Sequence, residues 1–131
     1  MREILFRGKR TTDGEWCEGN LFIDEKDEKH EILLGYTNYR IAWEVISETV
    51  GQFTGLTDKN GEKIFEGDIV ITNKFNNPSK KYIVKYNLSF ASFIGEDKNE
   101  MFFTTFDGDS NDFEVIGNVH DNPELLRNEQ E

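Results

Sequence analysis

An all-β fold is what this chain predicts, and three observations carry the prediction. Short apolar or β-branched runs recur along the 131 residues at regular spacing, each closed by turn residues, as in a barrel or sandwich. The stretch TVGQFTGLTDKNGEKIFEGDIV, Thr49 to Val70, holds four of the eleven glycines directly ahead of the β-branched run Ile69-Val70-Ile71-Thr72. Eleven Phe, four Tyr and two Trp supply large contact areas for a core, and that aromatic content argues against disorder.

The elements follow in chain order. Ile4-Leu5-Phe6 is an apolar run closed by Gly8 and by Thr11-Thr12-Asp13-Gly14, whose Asp-Gly pair predicts a tight turn. Trp16-Cys17-Glu18 then leads through Gly19 into Leu21-Phe22-Ile23, completing a first hairpin. Asp24 to Glu31, DEKDEKHE, is of mixed sign and lies between two apolar runs, which favours a solvated loop over an interaction tail. Ile32-Leu33-Leu34 is the next strand, and Tyr36 to Ile46 alternates too poorly to assign beyond strand, turn and strand again.

Val50, Phe53 and Leu56 sit at a helix-like spacing of three. The two glycines among these seven residues would each cost about 1 kcal/mol inside a helix, so the segment is expected to be irregular or extended. Glu66-Gly67-Asp68 reads as a turn feeding Ile69 to Thr72. Asn76-Asn77-Pro78-Ser79 is a further turn, after which Tyr82, Val84 and Tyr86 alternate with Ile83 and Lys85. Phe90 to Ile94 and Met101 to Phe106 are expected as strands around a turn at Gly95 to Glu100, and Glu114 to Val119 is expected as the last strand. Asn122-Pro123-Glu124-Leu125-Leu126 places Asn at a cap and Pro at the first helical position, so a short C-terminal helical turn is expected, with Arg127 to Glu131 fraying beyond it.

The glycines of Thr49 to Val70 admit two explanations, a ligand loop or a set of tight turns. The Walker pattern needs two glycines five positions apart followed by Lys and Ser or Thr, and the dinucleotide fingerprint needs three glycines opening a helix; neither is present. Asp58-Lys59-Asn60-Gly61 instead has the residues of a four-residue hairpin loop with a type I turn and glycine bulge. Gly51, Gly55, Gly61 and Gly67 are therefore expected to serve turns or close backbone approach, with Asp58 and Asp68 bonding local backbone amides and Asn60-Gly61 tolerating positive φ.

Charge and cysteine content bound the function. A net charge of -11 disfavours binding to phosphate backbones, whose affinity comes from Lys and Arg displacing counterions. The one basic cluster near the start, Arg2, Arg7, Lys9 and Arg10, is interrupted by Glu3 and reads as a solvated strand and turn. Single Cys17 excludes an intramolecular disulfide. No stretch approaches the roughly 18–20 apolar residues of a membrane span and no leader-like run opens the chain, so a cytoplasmic protein is expected.

Candidate chemistry is sparse. Asp107, Asp109, Asn111 and Asp112 in FDGDSNDFE invite comparison with a calcium loop, but an EF-hand needs Gly where the chain has Asp112 and Glu where it has Asn118. A weak cation site at Asp107, Asp109 and Asp112 stays open beside an acidic turn. Cys17 with His30 or His120 would make a nucleophile pair only if folding brought them together, and one Cys with two His at no recognised spacing does not make a zinc site. No catalytic residue, cofactor or metal is expected.

Three blocks, MREILFRGKR at Met1 to Arg10, TVGQFTGLTDKNGEKIFEGDIV at Thr49 to Val70, and FEVIGNVHDNPELL at Phe113 to Leu126, together resemble the YopX family, small proteins of phages and prophages in Gram-positive bacteria. The resemblance implies an all-β fold containing a small SH3-like barrel, and an accessory protein without an established activity. The resulting division is an N-terminal β lobe over residues 1–56 and the barrel with its C-terminal tail over residues 57–131, within one YopX-like domain. The resemblance supplies no catalytic residue.

Two function classes follow. The first is a non-enzymatic protein of the bacterial host cytoplasm acting by protein–protein contact, as a homo-oligomer and with a host or phage protein. The dense aromatics Phe90, Phe93, Phe102, Phe103 and Phe106 motivate it, since Phe102 and Phe103 point to opposite faces of a strand and only one face fills a barrel. The second is a nucleic-acid-binding β-barrel, with Tyr82, Tyr86 and the Phe cluster for stacking and Lys74, Lys80, Lys81 and Lys85 for phosphates. The acidic balance disfavours it.

Overall fold

The computed structural model describes residues 3–34, 41–72, 80–98, 102–103 and 112–127. It is all-β, with eleven strands and one short helix among these residues. The strands are β1 (Phe6–Lys9), β2 (Trp16–Asp24), β3 (Lys29–Leu34), β4 (Ile41–Val45), β5 (Gly51–Thr57), β6 (Lys63–Phe65), β7 (Asp68–Thr72), β8 (Tyr82–Asn87), β9 (Ser92–Glu96), β10 (Phe102–Phe103) and β11 (Phe113–Asn118). The C-terminal helix α1 spans Glu124–Arg127, where Asn122-Pro123 predicts a helical turn. Two compact units divide the chain, Met1–Phe53 and Thr54–Glu131.

In the first unit the neighbouring strands run β4-β3-β2-β1 and then the start of β5. The predicted first hairpin forms, with Gly8 opposite Cys17 and Lys9 opposite Trp16. β2 is shared: Trp16 to Gly19 pair with β1, and Asn20 to Asp24 pair with β3. The changeover falls at Gly19, where an added Cβ would sit 2.2 Å from the Leu33 carbonyl oxygen. Only glycine lets the two strands close up there.

β4 then returns to the far end of β1. Arg10 bridges Val45, the Thr11 N–H donates to the Glu44 carbonyl at 3.0 Å, and the Ile46 N–H donates to the Lys9 carbonyl at 2.8 Å. Gly8 makes the closure possible, since any Cβ there would press on the Val45 side chain at 2.9 Å. Ile32 and Val45 are buried. The 3-10 turn Ser47–Thr49 follows, and its buried Thr49 hydroxyl accepts the Lys9 N–H at 2.9 Å and donates to the Ile46 carbonyl at 2.6 Å.

The charged run Asp24 to Glu31 differs from expectation. Only Glu25 to Glu28 form the turn, while Asp24 ends β2 and Lys29 to Glu31 begin β3. The Asp24 carboxylate accepts the Lys26 and Asp27 amides, and Glu28 takes φ 55°. An Asx turn thus tightens a segment whose composition alone reads as loop.

In the second unit five strands are ordered β10-β9-β8-β7-β11, all antiparallel. A four-strand meander with the fifth strand placed beside the first is the order expected of an SH3-like barrel. Its core holds Ile64, Val70, Tyr82, Val84 and Phe113, with Leu56, Phe93 and Val115 packed against them. Alternation along β8 explains the choice, because Tyr82 and Val84 point inward while Lys85 stays exposed.

Candidate functional site

The glycine and aspartate positions singled out in the sequence fall on two buried carboxylates. Asp58 is 3% exposed and Asp68 1% exposed. The Asp58 Oδ1 accepts the amides of Asn60 at 2.8 Å and Glu62 at 2.9 Å, and its Oδ2 accepts the amide of Val115 at 2.9 Å. Three N–H donors thus replace the water that a buried carboxylate would otherwise lose. The backbone completes the loop, with Gly61 N–H donating to the Asp58 carbonyl and Gly61 at φ 82°. Asp58 to Gly61 thus turn the chain between β5 and β6. The Asp68 Oδ2 accepts the Phe65 amide at 2.8 Å, fixing the turn through Gly67, which has φ 90°.

Gly51 and Gly55 lie within β5, not in a turn. Gly51 pairs opposite Arg7. Gly55 takes φ 93° beside the buried Thr54, whose hydroxyl donates to the Ile64 carbonyl at 2.8 Å and accepts the Leu56 amide at 3.2 Å. The segment expected to be irregular or extended is thus extended, with Gly55 at a positive φ within the strand. Asn60 contributes its backbone amide to the Asp58 turn.

Of the open cation site, Asp107 and Asp109 lie outside the described residues, and Asp112 is exposed. Among the described residues no group of three or more His, Cys, Asp or Glu is placed to hold a metal ion. Cys17 sits in β2 and His30 in β3 opposite Ile23, six positions further along β2, or roughly 20 Å at about 3.3 Å per residue. The pair does not meet. Cys17 Sγ lies 3.6 Å from the Gly8 carbonyl, and desolvation by burial pushes its thiol pKa up from 9.0.

The basic cluster has a geometry that composition did not suggest. Arg7 lies 4.6 Å and Lys9 5.6 Å from the Trp16 ring, and Arg10 lies 4.4 Å from the Trp43 ring. Arg10 also clasps Asp13 through its Nε at 2.9 Å. The Glu15 amide and then Arg10 hold the Asp13 carboxyl below its usual range. Arg2 lies outside the described residues.

The residues offered for nucleic-acid stacking and phosphate contact divide. Tyr82 is buried in the core. Lys80 pairs with the buried Asp97 at 2.6 Å and Lys85 with Glu96 at 2.6 Å. Lys74 and Phe106 lie outside the described residues, as do the side chains of Phe102 and Phe103.

A feature the sequence reading missed is the tip of the β8–β9 hairpin. Phe90 was expected in a strand, but the turn is Leu88 to Ala91, with the Asn87 side chain accepting the Phe90 amide at 3.0 Å and Ala91 at φ 51°. Leu88 is 88% exposed, Phe90 54% and Tyr86 43%. Tyr86 packs edge-on against Phe93 with centroids 5.1 Å apart. Asn87 and Ser89 were the available turn signal, masked by the apolar Leu88 and Phe90 that follow each of them.

The fold is that of a small all-β protein in which Asp58 and Asp68 are buried and bonded to backbone amides. The profile of the YopX protein family matches residues 5–127, and the chain belongs to that family. Among solved structures it is similar to protein EF1440 from Enterococcus faecalis, with 24% identity and a TM-score of 0.59 over 96% of this chain and 99% of that one. It is also similar to protein YopX from Bacillus subtilis, with 16% identity and a TM-score of 0.55 over 99% of this chain and all of that one. A search of curated proteins finds no match.

Proposed function

We propose that the chain is a non-enzymatic phage or prophage accessory protein of the host cytoplasm that acts by protein–protein contact, with a second copy of itself and with a host or phage protein. The observation that carries this reading is the apolar tip of the β8–β9 hairpin, where Leu88, Phe90 and Tyr86 are held out by an ordered turn. Large exposed apolar side chains grouped at one tip mark contact surfaces more often than isolated ones do. The two buried carboxylates support the same reading, because backbone amides engage both Asp58 and Asp68. The pairing of Lys80 and Lys85 with acidic neighbours favours protein partners over phosphate backbones.

The test is affinity capture of the tagged protein from phage-infected host cells, with and without nuclease and with elution in rising salt. The reading expects a protein partner that survives nuclease. Recovery that depends on nucleic acid would overturn it.

A further inference from the structure

We infer that Asn60-Gly61 is a modification site, at which the asparagine amide is lost to water, and that the bonds of Asp58 hold this reaction off while the turn is intact. Asn60-Gly61 is the single Asn-Gly pair of the sequence, and both residues are exposed. The reaction needs no enzyme. The Gly61 nitrogen attacks Cγ of Asn60, the new N–C bond forms as the Cγ–Nδ2 bond breaks, and ammonia leaves with the Gly61 amide proton. Water then opens the five-membered imide at either carbonyl, leaving aspartate or isoaspartate at position 60. Glycine favours the attack because it brings no Cβ to crowd it. The space beside Gly61 is open as well, with nothing within 4 Å of where a Cβ would stand.

Hydrogen bonding opposes the step despite that exposure. Each of the five backbone N–H groups from Asp58 to Glu62 has an acceptor. Asp58 N–H donates to the Glu62 carbonyl at 2.7 Å, Lys59 N–H to the Phe113 carbonyl at 3.0 Å and Gly61 N–H to the Asp58 carbonyl at 3.0 Å. Asn60 and Glu62 donate to Asp58 Oδ1 at 2.8 and 2.9 Å. Closing the imide ring removes the Gly61 N–H and its bond, while the ties on either side keep the chain from turning to meet the attack, so the reaction runs from the locally opened turn. Isoaspartate then carries the main chain through its side-chain carboxyl, which adds a methylene between position 60 and Gly61 and displaces the Glu62 amide from Asp58 Oδ1. The same carboxylate holds the Val115 amide through Oδ2 at 2.9 Å. Modification at position 60 thus loosens β11.

The test is incubation at mildly alkaline pH, with peptide mapping by mass spectrometry for the acid at position 60 and enzymatic methylation to report isoaspartate. Four samples are compared: the folded chain, the same chain in urea, Asp58→Asn, which keeps the side-chain shape and loses acceptor capacity, and Val84→Ala, which destabilises the core of the same unit. The folded chain is expected to convert at least about tenfold more slowly than the chain in urea, and Asp58→Asn faster than Val84→Ala. Hydrogen exchange of the isoaspartyl form should show Val115 less protected than in the parent. Conversion of the folded chain at the unfolded rate, an Asp58→Asn chain no faster than Val84→Ala, or unchanged protection at Val115 would each overturn the inference. If Asp58→Asn does not fold, the comparison with urea and the exchange at Val115 decide it. None of these outcomes depends on the partner reading above.

Discussion

Asp58 and Val115 are 57 positions apart in the chain, yet a carboxylate oxygen of one accepts the amide of the other at 2.9 Å. The same side chain organises its own turn through Asn60 and Glu62. A local turn signal is in this way converted into a long-range tie between the β5–β6 connection and the last strand.

Removing that tie is costly. Asp58→Ala leaves three amides without their charged acceptor and is expected to destabilise the protein by about 3 kcal/mol or more, at about 1–3 kcal/mol for each buried group left unmet. Asp58→Asn should cost less. Urea denaturation monitored by tryptophan fluorescence reads both.

Glycine substitutions should separate by mechanism. Gly19→Ala drives a Cβ into the Leu33 carbonyl oxygen at 2.2 Å and is expected to cost about 2 kcal/mol or more, since backbone must move. Gly14→Ala meets nothing within 4 Å but has φ +73°, so it carries only the left-handed penalty of about 1–2 kcal/mol. Thermal denaturation of the pair should rank them in that order.

Core and tip should respond in opposite ways to truncation. Phe113→Ala empties a fully buried site and is expected to cost about 3–5 kcal/mol. Leu88→Ser, at a side chain that packs on little, should stay within about 0.5 kcal/mol of the parent. Matched denaturant titrations check both, and a stable Leu88→Ser protein is the reagent needed to examine contacts.

Cys17 supplies a pH test. Its thiol is raised above 9.0 by burial, so the thiolate forms later in the folded chain than in the unfolded one. Alkylation of the folded protein should be slow near neutral pH and rise with a midpoint above 9.0, whereas the denatured chain should react with a lower midpoint. Equal midpoints would contradict the burial described for β2.

Much of this architecture was legible in residues whose chemistry acts locally. Asp58-Lys59-Asn60-Gly61 specified its turn because an Asx side chain and a left-handed glycine leave few alternatives. β7 and β8 were legible from β-branching and alternation. Hairpins with misleading composition were read less well: charge hid strand ends around Asp24 to Glu31, and hydrophobicity hid the turn at Leu88 to Ala91. Neither the Asp58–Val115 bond nor the return of β4 to Arg10 has a sequence signature, because both depend on chain segments that meet only after folding.

The candidate contact site was the least legible part, since Leu88 and Phe90 look like core until the Asn87 turn places them outside. The most direct measurement is therefore comparative capture from phage-infected cells, after nuclease, using the parent and a Leu88→Ser, Phe90→Ser variant shown to be folded. The account predicts a protein partner recovered with the parent and lost with the variant. Equal recovery by both, or none by the parent once nucleic acid is removed, would contradict it.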